Sequence, residues 1–417
     1  MTQHASDAQP KGIDAVIMKK QIALGVALAC SAGAAFAAEP DGIPFGPFRA
    51  YPSLSYDLKH EDNLYRTESN EQDSWVNVLT PAIELRGLSG PNAYVLGYAL
   101  SKAWYSEDDS QNDFLHQRLY ANAALEFATR HHLDLNYEFK DWTDPRGTDF
   151  EADEVVDVVR DTAAGTDVDE WHQHQLGGTY TFGAPNARGR LELHADQAWR
   201  RYDNNGQEYR DRDATTLGAT FYARVMPKTS LLFEVAQTDF DYVDEVAGVD
   251  SLDSTERKYL AGVTWDATAK TTGTAKVGYL TKDFDDGARQ DFDGASWEVG
   301  VTWRPLTYSA VDLTTSSATR EQSTGTDDYV EVRDVGIAWT HDWGVRLSTK
   351  FDAKWAWDEY NTTDREDDRS TYGMGLTYAL NRWLDLGASY RYLERDSSAA
   401  GKDYDNNTFM LTVEAAL

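Results

Sequence analysis

The chain has 417 residues, with 70 acidic against 39 basic side chains and a formal charge of −31. That balance excludes nucleic acid as a partner, because phosphate binding needs a basic surface. The negative mean hydropathy excludes a helical membrane protein but not a transmembrane barrel, whose lipid face needs only every second residue.

In chain order, residues 1–17 are polar and read as an upstream extension ahead of Met18. Residues 18–37 read as a secretory signal peptide: Lys19 and Lys20 precede an apolar run from Ile22 to Leu28, and small residues lead to Ala35-Phe36-Ala37. Cleavage is expected after Ala37, and the apolar run is too short for a spanning helix of about 20 residues. Cys30, the only cysteine, falls inside this segment, so a disulfide scaffold and thiol chemistry are excluded from the mature chain. Ala27-Leu28-Ala29 before it lacks the leucine usual three positions ahead of a lipoprotein cysteine. Loss of residues 1–37, with three lysines and two aspartates, leaves a charge of −32.

Residues 38–50 are expected to form a short periplasmic segment, and 51–417 an antiparallel transmembrane β-barrel. From Tyr51 onward, stretches of about ten alternating residues are joined by connectors that are short and long in turn. The short ones, 89–92, 129–131, 184–187, 227–229, 266–270, 305–307, 341–344 and 381–382, carry the Gly, Pro and Asn of tight turns. The long ones include 60–74, 106–113, 143–169, 203–213, 243–254, 283–294, 358–369 and 396–406, nearly all rich in Asp and Glu. Short periplasmic turns and long outer loops give about 18 strands, within 16 to 20, with both ends in the periplasm.

The two faces separate cleanly. Leu133, Leu135, Tyr137 and Phe139 alternate with Asp134, Asn136, Glu138 and Lys140; Leu191, Leu193, Ala195 and Trp199 alternate with Arg190, Glu192, His194, Asp196 and Arg200. Between residues 345 and 357, Leu347, Phe351, Trp355 and Trp357 alternate with Arg346, Lys350, Asp352 and Lys354. The chain closes on Phe409, Leu411, Val413 and Leu417, the expected last strand and its signal to the outer-membrane assembly machinery. Trp265, Trp303, Trp339 and Tyr378 lie toward the short turns, as interface anchors do. A soluble sandwich would also alternate, but closing this many strands around a dry core is out of proportion to known β domains.

The expected lumen lining adds Arg224, Glu234, Lys276, Lys282, Glu298, Arg304, Asp385 and Arg391 to the inward residues already named. A mixed-sign lining of this kind either conducts or forms a paired network. Candidate catalytic groups are loose: His172 and His174 near Asp167 and Asp169, and His194 with Asp196, with no nucleophile elbow, phosphate loop or metal-type spacing. No cofactor is expected. Asp283, Asp285 and Asp286, or Asp364, Glu366, Asp367 and Asp368, could associate loosely with Ca²⁺ or Mg²⁺, without EF-hand spacing.

Several stretches resemble the β-barrel porin 2 family, found with exopolysaccharide gene clusters and including EpsL-like proteins. They are Tyr51-Pro52-Ser53-Leu54 with Asp62-Asn63-Leu64-Tyr65-Arg66-Thr67, Asp144-Pro145-Arg146-Gly147, Arg188-Gly189-Arg190-Leu191-Glu192-Leu193, Tyr222-Ala223-Arg224-Val225-Met226-Pro227-Lys228-Thr229-Ser230-Leu231, Tyr279-Leu280-Thr281-Lys282-Asp283-Phe284 and Arg382-Trp383-Leu384-Asp385-Leu386-Gly387. The resemblance implies a Gram-negative outer-membrane barrel without enzymatic activity and a part in exopolysaccharide export, with polysaccharide and a periplasmic export apparatus as partners. Outer-membrane lipid and lipopolysaccharide would surround it. A small-solute porin and a structural or adhesive barrel plugged by 143–169 are the alternatives. Acidic outer loops are expected to let neutral or cationic cargo pass more easily than polyanions.

Overall fold

The computed structural model describes residues 41–107, 109–144, 146, 167–184, 186–243, 251–268, 270–322, 327–344 and 346–417. The expected extension and signal peptide, and most of 143–169, lie outside them. The strands in order are β1 (Ile43–Phe45), β2 (Phe48–Glu61), β3 (Ser74–Ser89), β4 (Asn92–Tyr105), β5 (Leu115–Ala128), β6 (His131–Thr143), β7 (Glu170–Phe182), β8 (Gly189–Tyr202), β9 (Arg212–Met226) and β10 (Thr229–Tyr242). They continue as β11 (Ser254–Thr268), β12 (Thr271–Phe284), β13 (Phe292–Leu306), β14 (Ser309–Glu321), β15 (Tyr329–Asp342), β16 (Leu347–Tyr360), β17 (Glu366–Asn381), β18 (Leu384–Ser397) and β19 (Tyr404–Ala416).

Strands β2 to β19 pair in sequence, and β19 pairs back onto β2 from Thr408–Glu61 to Ala416–Ser53. The result is a closed, all-antiparallel, 18-stranded barrel. Closure leaves no free sheet edge along most of the seam. Below it, Leu417 N–H donates to the Pro52 carbonyl at 3.1 Å. There β1 takes over the side of β2 that β19 has vacated, pairing Ile43 with Ala50 and Phe45 with Phe48. This short strand therefore covers the one stretch of edge that the last strand is too short to reach.

The alternation in the sequence dictates which way each strand faces. Leu135, Leu193, Leu217, Phe233, Val277, Leu313, Phe351, Leu411 and Val413 are exposed on the outer surface, with no second sheet over them. An apolar wall open on its outer side is a lipid face and rules out a sandwich. On three strands an outward aromatic near the outer rim is followed six residues later by one near the short turn: Tyr259 and Trp265, Trp297 and Trp303, Tyr372 and Tyr378. These are the two girdles.

Most buried side chains gather at the outer ends of the strands, where connectors fold inward. One device recurs there. The main-chain N–H of a residue at or near the end of an ascending strand donates to an aspartate shortly before the next: Tyr105 to Asp113 (2.8 Å), Tyr202 to Asp211 (2.7 Å), Tyr242 to Asp253 (2.6 Å), Phe284 to Asp291 (2.8 Å) and Ser397 to Asp403 (2.7 Å). Each aspartate satisfies a donor that the ladder leaves over. Part of the acidic excess in the connectors is thus structural.

Candidate functional site: the lumen and its outer constriction

Side chains on the inner face are brought together by direct and diagonal cross-strand neighbours and by spacing of two along one strand. Arg118 on β5 bonds Glu138 on β6 at 2.6 Å, and Lys140 stands 3.4 Å from the same carboxylate. Across β10 to β13, Lys276 bridges Glu234 (3.1 Å) and Glu298, which also meets Lys258 at 3.1 Å. Arg190 pairs with Glu192 at 3.2 Å, Lys350 with Asp352 at 4.0 Å and Lys354 with Asp334 at 3.9 Å. Half-exposed pairs of this kind contribute little stability each; together they neutralise most of the lining.

The inward tyrosines belong to the same network. The Arg118 guanidinium lies 5.1 Å from the Tyr120 ring centre, and the Tyr120 hydroxyl donates to Glu84. Gly97 stands opposite, where a Cβ would fall 2.1 Å from that ring, so glycine is required there. Arg190 covers Tyr222 at 4.2 Å and Arg86 covers Tyr51 at 4.4 Å.

Several inward carboxylates have no cation beside them among the described residues, Asp196 and Asp312 meeting only Gln175 and Thr302. Asp385 on β18 and Glu414 on β19 face each other directly and have no cationic partner among the described residues. Nearby Asp57 accepts only hydroxyl hydrogen bonds, from Thr412 at 2.5 Å and Ser55 at 3.3 Å.

The outer end of the lumen is narrowed by three inward-folded groups. In the first, Tyr65 from the β2–β3 connector packs under Arg146, whose guanidinium lies 5.3 Å from the ring centre, and Arg146 Nε donates to Asn112 Oδ1 at 2.6 Å. Asn63, fully buried, donates to the carbonyls of Thr67 (2.8 Å) and Asp405 (2.9 Å). In the second, Arg210 rises from a 3₁₀ turn at Glu208–Arg210 and is wholly buried between Asp144 (3.1 Å) and Asp169 (3.3 Å), over the Tyr202 ring at 4.1 Å. In the third, the outer end of β14 turns inward, and Glu321 meets the fully buried Lys282, with the Tyr242 hydroxyl donating to Glu321 at 2.9 Å.

A family model described as Putative beta-barrel porin 2 matches residues 37–417. The chain belongs to this family. No curated protein matches it in sequence. Among solved structures, this porin resembles OpdK from Pseudomonas aeruginosa, solved with vanillate, at 11% identity, covering 88% of this chain and 99% of that one with a TM-score of 0.50. A BenF-like porin from Pseudomonas fluorescens Pf-5 matches at 11% identity, with 89% and 99% covered and the same TM-score. At such identity the likeness is one of fold: an outer-membrane porin barrel.

Within the porin, most expected lumen residues do meet in the network. Three sit at its periplasmic edge instead. Arg224 is half-buried and reaches the turn at Asn186, 3.3 Å from its side-chain oxygen; Arg304 is exposed beside the β13–β14 turn. Arg346 is not on a strand: it occupies the β15–β16 turn with a φ of 66° and donates to the Leu380 carbonyl at 3.0 Å. The strand begins at Leu347, past the start of the alternation, because the turn geometry takes over from the pleat there.

The histidine constellations come apart. His172 and His174 point to the outer surface, bonded to Asp203 (2.9 Å) and the Tyr137 hydroxyl (2.9 Å), whereas Asp169 is buried inside against Arg210. His194 does share the inner face with Asp196, but that carboxylate is held by Gln175 at 3.1 Å. No cluster of ligating side chains suited to a metal occurs among the described residues.

The two stretches Asp62 to Thr67 and Asp144 to Arg146, singled out by resemblance, meet each other through Tyr65 and Arg146. Their role here is to build the outer constriction. Sequence contrast does not mark Arg210, Glu321 or the short β14–β15 connector, whose only acids are Asp327 and Asp328.

Proposed function

We propose that this porin is a passive outer-membrane channel that passes small hydrophilic solutes and favours cations over anions. The observation that carries the reading is the charge pattern of the lumen: nearly every cation is paired, while Asp385 and Glu414 face each other without one. A paired, hydrated lining lowers the barrier to polar solutes, and leftover carboxylates set the sign of the local potential. The fold likeness to porins and the family membership support channel work rather than catalysis.

Exopolysaccharide export finds no such support. Sugar rings bind preferentially on open aromatic faces, yet Tyr51, Tyr120 and Tyr222 are each covered by an arginine. The fully plugged, structural reading is answered by the same experiment as the channel reading. Purified protein in planar bilayers under a salt gradient is expected to conduct, with a reversal potential of cationic sign. Absence of conductance would favour the structural barrel, and an anionic sign would refute the charge argument.

A further inference from the structure

The wall is split at its outer end between β13 and β14. Their pairing stops at Trp297–Ser317, while β12–β13 continues out to Lys282–Phe292 and β14–β15 to Glu321–Tyr329. Residues 318–321 therefore leave the wall while still paired to β15. At the fork, Ser296 Oγ donates to the Ser317 carbonyl at 2.9 Å and Ser317 Oγ to the Ala295 carbonyl at 3.4 Å.

The departing segment goes inward. Thr319 Oγ1 donates to Glu256 on β11 at 2.8 Å, and Glu321 meets Lys282 on β12 and Tyr242 on β10. Along an intact wall, β14 stands four strands from β10, about 19 Å at the usual interstrand spacing, far beyond reach of a Glu–Tyr hydrogen bond. Only a path across the inside of the barrel makes these contacts. Lys282 Nζ also bonds Ser254 Oγ at 2.9 Å and lies 4.5 Å from the Phe240 ring centre, so the ammonium is enclosed on several sides. Tyr329, paired with Glu321 at the tip of the departing segment, inserts among Leu280, Phe284 and Phe292. Continued in register, the wall would place Glu321 opposite Asp293, a like-charge pair that disfavours the closed arrangement.

We propose that Glu321, acting through Lys282, is a positioning residue that sets the size cut-off of the channel by holding the outer end of β14 across the lumen. The proposal rests on the diffusion-channel reading and deepens it. Breaking the pair lets residues 318–321 retreat toward the wall, and larger solutes then pass. Charge at the lumen floor is unaffected, so width changes without a change in selectivity.

The test is liposome swelling with neutral mono-, di-, tri- and tetrasaccharides, on wild type, E321A and the neutral double variant K282M/E321Q, which leaves no buried charge behind. Folding is checked by heat-modifiable migration. The trisaccharide-to-monosaccharide rate ratio is expected to rise severalfold in both variants. In a C30S background, E256C/T319C joined by a short bis-maleimide is expected to retain the wild-type ratio, and to restore it when combined with K282M/E321Q. An unchanged ratio in the folded double variant overturns the proposal alone. Absence of swelling in every form overturns both the proposal and the channel reading, whereas swelling only in the variants supports the tether and shows wild type to be closed.

Discussion

Replacing Arg210 with alanine removes a cation from a pocket in which it is wholly buried and its partners Asp144 and Asp169 are buried at 3% and 0% exposure. Asp144 would keep the Trp171 indole donor at 2.9 Å and Asp169 the Asn205 amide at 2.7 Å, so neither carboxylate is left entirely bare. Removing one partner of a buried pair costs about 3–5 kcal/mol, and the retained donors place this case near the lower end. The Asp144 contact is at ion-pair distance without hydrogen-bond alignment, which argues the same way. A loss of about 3 kcal/mol corresponds to roughly a hundredfold change in the local opening constant. The wall is hydrogen-bonded independently of this pocket, so the loss should appear in the β8–β9 connector and not in the barrel. Chymotryptic cleavage at Tyr209 in reconstituted protein reports it, provided opening is fast relative to cleavage so that the rate follows the open population. R382A is the control, because Arg382 and Asp41 pair at 3.1 Å on a fully hydrated rim. Cleavage of R210A within about threefold of wild type would refute the claim that this cation holds the connector.

Asp211→Ala should leave the Tyr202 N–H without its acceptor, a loss of about 1–3 kcal/mol, and amide exchange at that position should accelerate about tenfold or more. Leu411→Arg puts a charge on the lipid face and should lower folded-barrel stability in urea by about 2–4 kcal/mol if the site lies at mid-bilayer depth. Leu417→Asp should reduce outer-membrane levels, measured by fractionation; normal levels would argue against an assembly role for the last strand's apolar face. The D385N/E414Q variant should lose most of the cation preference in reversal-potential measurements, with unchanged conductance for neutral solutes. An unaltered reversal potential would assign the preference elsewhere.

The wall was legible because period-two alternation and lipid exposure are the same constraint written twice: Leu133 to Lys140 could be assigned to two faces before any strand was placed. Connector length carried the topology, since a short turn and a long outer loop differ physically in what surrounds them. Burial at the outer mouth was not legible. Whether Arg210 or Lys282 is solvated depends on which connector folds over it, and that is settled by contacts more than 25 residues apart, such as Arg210 with Asp169 and Lys282 with Glu321. The fork at Ser317 was hidden for a related reason: β14 alternates on both sides of it, and only the missing partner on β13 reveals the departure. Acid-rich connectors give no sign in sequence of which carboxylates bond the main chain, yet Asp113, Asp211, Asp253 and Asp291 cap strand ends.

This redistribution of the acids alters what should govern selectivity. Carboxylates engaged by main-chain donors or by Arg210 contribute little free field at the mouth, which leaves exposed groups such as Glu68, Glu71, Asp364 and Asp368 to attract cations there. Those are open to electrolyte, and the Debye length falls from about 10 Å at 0.1 M salt to about 3 Å at 1 M. Asp385 and Glu414 face each other on adjacent strands of the inner wall, where the low-dielectric wall focuses their field. Cation preference should therefore decline between 0.1 M and 1 M salt but persist, at roughly the Debye lengths given. The residual part should be the part abolished by D385N/E414Q. Complete loss of preference at high salt in the wild-type channel would place the selective charges in the outer connectors and reject the lumen pair as their source.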